Sequence, residues 1–117
     1  MSKNNDLGKD AEELAVIYLK RKNYRILEVN YRVGHKEIDI ICQDDRTIIF
    51  VEVKYRSEIH FGYPEDFVNE KKRQNIKEAA FLYLESFDRL TPVRFDIVSI
   101  AKEGNISDIL HFEDAFY

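Results

Sequence analysis

Two short segments of this 117-residue chain set acids and a lysine inside otherwise apolar runs: Glu37-Ile38-Asp39-Ile40-Ile41 and Phe50-Val51-Glu52-Val53-Lys54. Side chains alternate faces along a strand, so Glu37 shares a face with Asp39, and Glu52 with Lys54. The polar stretch Gln43-Asp44-Asp45-Arg46 between the runs is short enough for a hairpin. A hairpin turning on Asp45-Arg46 sets Asp39 opposite Glu52 and Glu37 opposite Lys54, with opposed Cβ atoms about 4.5–5.5 Å apart. Three carboxylates and one ammonium then meet on one patch of sheet. A two-residue slip of register would keep the face and break the close opposition.

Like charges packed together raise each other's pKa, and a divalent cation removes that cost. A few carboxylate oxygens with waters left in place suit Mg²⁺ or Mn²⁺ better than zinc. Such an ion polarises a phosphoryl oxygen and acidifies a bound water, and Lys54 is placed to orient that water or offset developing negative charge. The pattern outlines metal-assisted phosphodiester hydrolysis. A solvated hairpin end with cross-strand ion pairs, each worth about 0.2–1 kcal/mol, is the plainer alternative. The acids interrupt strongly apolar strands, where polar groups are expensive without a task.

The elements that must carry these residues follow from periodicity. Leu7, Ala11, Leu14, Ala15, Tyr18 and Leu19 make a helical stripe, predicting a helix over Leu7 to Lys22 with Asp6 as N-cap and a basic end. Glu12 falls at the edge of that stripe, within reach of the sheet edge, whereas Glu13 points away. Strands are predicted over Tyr24 to Tyr31, Glu37 to Cys42 and Thr47 to Lys54, the third nearly all apolar and therefore central. Tyr55 to Tyr63 reads as loop. Ile76, Ala79, Ala80, Tyr83, Leu84 and Phe87 make a second helix that stops before Thr91-Pro92, followed by a strand over Val93 to Ile100. A turn at Gly104-Asn105 leads to a last extended piece, Ile109 to Phe112. The result is a mixed α/β sandwich on one sheet, a single domain spanning residues 1–117.

Composition bounds the reading. Hydrophobic residues make up 44% and charged residues 34%, which suits a globular fold and excludes collagen-like and low-complexity chains. No apolar run reaches the roughly 20 residues of a membrane span, no apolar signal core opens the chain, and a lone Cys42 makes neither disulfide nor zinc cluster, so a cytoplasmic protein is expected. Cys42, alternating with Ile38 and Ile40, is expected in the core. The formal net charge of −4 argues against coating nucleic acid by bulk attraction. Yet Lys20 to Lys36 holds six basic residues and one acid, and Lys71 to Lys77 four bases and no acid, while Phe95 to Tyr117 holds five acids and one lysine. Such asymmetry can steer a polyanion to one face.

The ordered set Gly8…Ala11-Glu12…Ala15…Tyr18-Leu19, Asn30-Tyr31-Arg32, Glu37-Ile38-Asp39-Ile40-Ile41, Phe50-Val51-Glu52-Val53-Lys54-Tyr55-Arg56 and Arg94-Phe95-Asp96 resembles the YraN-like family of small bacterial proteins. That family is similar in turn to archaeal Holliday-junction resolvases and the PD-(D/E)XK nucleases. The resemblance covers nearly the whole chain and implies a restriction-endonuclease-like αβββαβ core, a mixed sheet flanked by helices. Carried over by position, Asp39 is the motif Asp, Glu52 and Lys54 the Glu-x-Lys pair, Glu12 the helix acid and Glu37 an accessory acid. His35-Lys36 stands where relatives often have Gly before Glu-Ile-Asp, and Ala11 where a Gly often precedes the helix Glu.

The expectation is a divalent-metal-dependent endonuclease acting on structured or branched DNA, with Asp39 and Glu52 as direct metal ligands, Glu12 a ligand directly or through water, and Lys54 the transition-state partner. Arg56, Lys71, Lys72 and Arg73 are candidates for backbone phosphates, and Gln74 for a phosphate or a water. The second reading is a non-catalytic module that keeps the nuclease scaffold and binds nucleic acid or a repair partner. Tyr55, Phe61 and Tyr63 are candidates for base stacking but more often pack in a core. His35, His60 and His111 lack zinc-site spacing and leave at most an auxiliary base. A homodimer, with the C-terminal Ala115-Phe116-Tyr117 at its interface, would supply two sites for two strands.

Overall fold

The computed structural model describes residues 3–56, 69–103 and 106–116. Its elements are α1 (Lys3–Arg21), β1 (Arg25–Val33), β2 (Lys36–Asp44), β3 (Thr47–Arg56), α2 (Glu70–Tyr83) with a 3₁₀ turn at Leu84–Ser86, β4 (Val93–Glu103) and β5 (Ile106–Phe112). The five strands form one sheet in sequence order, parallel only between β3 and β4, where α2 makes the crossover. This is the expected element order, a mixed α/β fold with helices on both faces.

Helix α1 starts four residues before Leu7 and runs through Asp6, because Lys3-Asn4-Asn5 contains no Gly or Pro to stop it. Its end is sharp. Asn23 takes φ 68°, the Asn23 N–H donates to the Lys20 carbonyl at 2.9 Å, and the Tyr24 N–H donates to the Leu19 carbonyl at 3.0 Å. This is a Schellman closure with Asn in the left-handed position that usually takes Gly. Helix α2 is capped by Asn69, whose side chain accepts the Lys72 N–H at 2.8 Å. Asn69→Ala is expected to cost about 1 kcal/mol, measured by denaturant titration.

Two apolar layers hold the sheet between the helices. Ala11, Ala15 and Leu19 of α1 pack with Ile40, Cys42, Ile49, Val51 and Val98. Ile76, Ala79 and Ala80 of α2 pack with Ile41, Ile48, Phe50 and Ile97 on the other face. Strand β3 lies at the centre and is buried from Ile48 to Glu52, as its apolar run predicts. Burial raises the Cys42 thiol to about 12, so it is an inert core group.

Phe116, near the C-terminus, is a core residue. Phe116 is 5% exposed and packs on Phe95, and the Ala115 N–H donates to the Phe95 carbonyl at 2.7 Å. Tyr55 and Arg56 extend β3 rather than open a loop, and Tyr55 packs against the α1-side layer. His60, Phe61, Tyr63, the Gly104-Asn105 turn and Tyr117 lie outside the described residues. Among the described residues no helix is long and apolar enough to cross a membrane.

Candidate metal centre

The β2–β3 hairpin turns on Asp45-Arg46, with Asp45 at φ 56°, and pairs Asp44 with Thr47 through to Ile40 with Val51. That is the register expected from the turn. The pairing then stops, although both strands continue, and β3 stays with β4 as far as Arg56. Asp39 and Glu52 are consequently not a ladder pair. Asp39 sits in the fork between the strands, where its Oδ2 accepts the Val53 N–H at 2.8 Å.

The same point is irregular toward β1. The β1–β2 ladder passes from Val29↔Ile40 to Tyr31↔Ile38 without an Asn30↔Asp39 step, and Asn30 has φ 56°. Asn tolerates that left-handed conformation better than most residues. Across this break the faces change. Ile40 and Cys42 belong to the α1-side layer, whereas Ile38 belongs to the α2-side layer. Strict alternation would have kept Ile38, Ile40 and Cys42 on one face. The break turns the Glu37–Asp39 segment so that its acids meet α1.

Glu12, Glu37 and Asp39 each bring a carboxylate oxygen within 4.8 Å of the others. Glu12 is half-buried on α1 and Glu13 exposed, as the helical phase predicts. Partial burial raises the Glu12 carboxyl above its ordinary range, and the charges of Asp39 and Glu37 add to this, against a hydrogen bond with Asn30. Burial, followed by the charge of Glu52, pushes Asp39 up to about 7, against the Val53 N–H and the positive charge of Lys72. A set of hard oxygen donors whose negative charge is destabilised fits a divalent cation such as Mg²⁺ or Mn²⁺. Asn30, in the quoted Asn30-Tyr31-Arg32 segment, gains a role at the site through its left-handed backbone and its bond to Glu12.

Glu52 and Lys54 continue the α2-side alternation of Ile48 and Phe50. Glu52 is buried, 3% exposed, and does not join the triad; its Oε1 instead meets Lys72 Nζ at 2.5 Å. Burial works against the Lys72 ammonium, but its bond to Glu52 and the charges of Glu52 and Asp39 outweigh that and raise its pKa. Lys54 is lowered, first by partial burial and then by the nearby Lys72 ammonium, with Glu52 and Asp39 opposing.

The candidate basic residues differ in exposure and in partners. Lys71 is exposed at the start of α2, and Arg73 and Arg56 are half-buried. Gln74 donates to Glu78 at 3.3 Å, and Lys36 pairs with Glu78 at 3.2 Å, while Arg32 pairs with Glu37 at 3.5 Å. A pocket of about 320 Å³ lies between β2 and α2, lined by His35, Lys36, Glu37, Asn69, Lys71 and Lys72 among others.

A second polar cluster lies beneath the end of α1. Asp96, fully buried, accepts Arg94 Nε at 2.9 Å and Nη2 at 2.8 Å, the Asp114 N–H at 2.9 Å, and contacts His111 Nε2 at 2.7 Å. Lys22 Nζ lies 3.0 Å from His111 Nδ1. An ammonium can only donate, so Nδ1 accepts and Nε2 carries the hydrogen to Asp96. Tyr24 donates to Glu113 at 3.0 Å and accepts from Arg94 at 3.0 Å, closing the network. His111 spends both ring nitrogens here, on groups outside the acidic triad, and so is not an auxiliary base for it. Alternation along β4, which puts Arg94 and Asp96 on one face, was the available signal for this cluster.

A five-stranded mixed sheet between two helices, compatible with a restriction-endonuclease-like fold and carrying acids where a hairpin forks, defines the class. The model of the uncharacterised protein family UPF0102 matches residues 11–100. A UPF0102 protein of Flavobacterium psychrophilum is 47% identical over 117 residues, all of this chain and 98% of its own length. One from Syntrophomonas wolfei subsp. wolfei is 46% identical over 97% of this chain and 99% of its own, and one from Thermodesulfovibrio yellowstonii 44% over 96% of each. The chain belongs to the UPF0102 family.

Proposed function

We propose that this protein is a divalent-metal-dependent endonuclease that hydrolyses phosphodiester bonds in structured or branched DNA, on a PD-(D/E)XK-type core similar to that of the archaeal Holliday-junction resolvases. The observation that carries the reading is the gathering of Glu12, Glu37 and Asp39 at the β2–β3 fork, with Asp39 close enough to interact with the charges of Glu52 and Lys54.

Glu12, Glu37 and Asp39 would hold the cation, with Glu52, whose charge already acts on Asp39, available as a further carboxylate. When bound, Mg²⁺ or Mn²⁺ supplies a Lewis acid for a phosphoryl oxygen and lowers the pKa of water. The chain's own groups do the rest. The Val53 N–H fixes the Asp39 carboxylate in the fork, and the Asn30–Glu12 bond fixes the helix acid. Lys54, two residues beyond Glu52 on the same face, places positive charge where a phosphoryl group gains negative charge. Lys71 and Lys72 at the start of α2 offer contacts to flanking phosphates.

The test is cleavage of branched, nicked and single-stranded DNA with Mg²⁺ or Mn²⁺. Lys54→Ala is expected to lose about 10²–10³-fold in rate while retaining Mn²⁺ binding by calorimetry, because it is not a ligand. Equal residual cleavage in Lys54→Ala and Asp39→Ala would indicate a contaminant. Salt-sensitive DNA binding without metal-dependent cleavage would favour the non-catalytic module instead.

A further inference from the structure

We propose that Lys72 is a built-in counter-ion for the candidate centre, holding Glu52 in the metal-free protein and released toward substrate phosphate when a divalent cation takes that carboxylate; the inference rests on the metal-dependent reading above.

Glu52 is 3% exposed, and an ionised carboxylate there demands a partner. The partner comes from α2 and not from the neighbouring Lys54 on the same strand face: Lys72 Nζ meets Glu52 Oε1. Asp39, whose carboxylate gathers with Glu12 and Glu37, also feels the charges of Glu52 and Lys72. Lys72 therefore already offsets part of the negative charge that a metal would neutralise. An incoming dication and the ammonium compete for one carboxylate and repel each other at close range.

The lysine is built to leave. Its backbone is fixed, since its N–H is bound by the Asn69 cap, but its side chain is 42% exposed on a flexible four-carbon stem. Beside it lies a pocket lined by Lys36, Glu37, Lys71 and Asn69 among others, where Lys71 and a released Lys72 can meet a phosphate. Displacement from Glu52 would thus bring an ammonium to the DNA backbone as the metal arrives, coupling metal loading to substrate affinity.

Two measurements on the full chain decide this. In calorimetry with Mn²⁺ alone, Lys72→Met is expected to bind the ion about tenfold tighter than wild type, with Lys72→Arg close to wild type. On the wild-type protein, reductive methylation of Lys72 followed by mass spectrometry is expected to run several-fold faster with Mn²⁺ than without, relative to Lys71. Unchanged labelling, or Mn²⁺ affinity equal or weaker in Lys72→Met, would overturn the counter-ion role and leave the metal centre standing. Absence of any Mn²⁺ binding by wild type would overturn the metal reading itself, and this inference with it.

Discussion

Asp39→Asn is expected to abolish Mn²⁺ binding and to lower metal-dependent cleavage by about 10³-fold or more, while making the metal-free protein more stable at pH 8. The two effects come from one cause. Asp39 is buried beside Glu52 with its carboxyl pushed up to about 7. In the unfolded chain it ionises near 3.8. Between those values the folded state holds a proton that the unfolded state has lost, so stability falls as pH rises, by up to about 1.4 kcal/mol per pH unit from this group. Asparagine keeps an oxygen for the Val53 N–H and carries no charge to ionise. Denaturant titrations at pH 4.5 and pH 8 should show wild type losing stability relative to Asp39→Asn across that window, and Mn²⁺ should restore it in wild type alone. Parallel pH profiles for the two proteins would show that the fork imposes no cost on the carboxylate.

Asp96→Ala is expected to produce the largest loss of stability, about 3–5 kcal/mol. Alanine there leaves Arg94 and His111 facing a buried gap and frees the Asp114 N–H from its acceptor. The network ties the ends of α1 and β5 to β4, so the loss is global, with a fall in Tm on the order of 10–20 °C for a domain of this size. Burial works against ionised Asp96, but the bonds from His111, Arg94 and the Asp114 N–H outweigh it and lower its pKa. A depressed carboxyl contributes stability above its unfolded pKa and loses it as pH falls through the folded value. Wild type should therefore lose this contribution only below about pH 4, and Asp96→Ala should lack that step. Activity measured well below the mutant's Tm should persist, because no triad residue touches Asp96. Loss of activity in a fully folded Asp96→Ala would give this cluster a part in the site.

The elements were legible because each rests on local pattern. The α1 stripe, the apolar run of β3 and the Asp45-Arg46 turn are short-range features, and the turn carries its register along the hairpin to Ile40↔Val51. The placement of Glu12 on the inward edge of α1 followed from helical phase alone. Bounds slipped by a few residues where nothing in the chain marks an end, as at Lys3, while the Asn23 closure marked its end clearly.

What local pattern could not carry was the interruption of pattern. Alternation assumes an unbroken pleat, and the break at Asn30 and Asp39 sends Ile38 and Ile40 to opposite faces. It also separates Glu52, held by Lys72 from α2, from the three acids that gather toward α1. The Asp96 network includes contacts spanning 15 to 89 residues of sequence, which no window along the chain brings together. The chain by itself therefore determined the order of elements, the central strand and the acids available for chemistry. Only the tertiary structure decided which acids share a site and which lysine answers them, because those outcomes depend on where strands part and helices dock, and both are set by long-range packing.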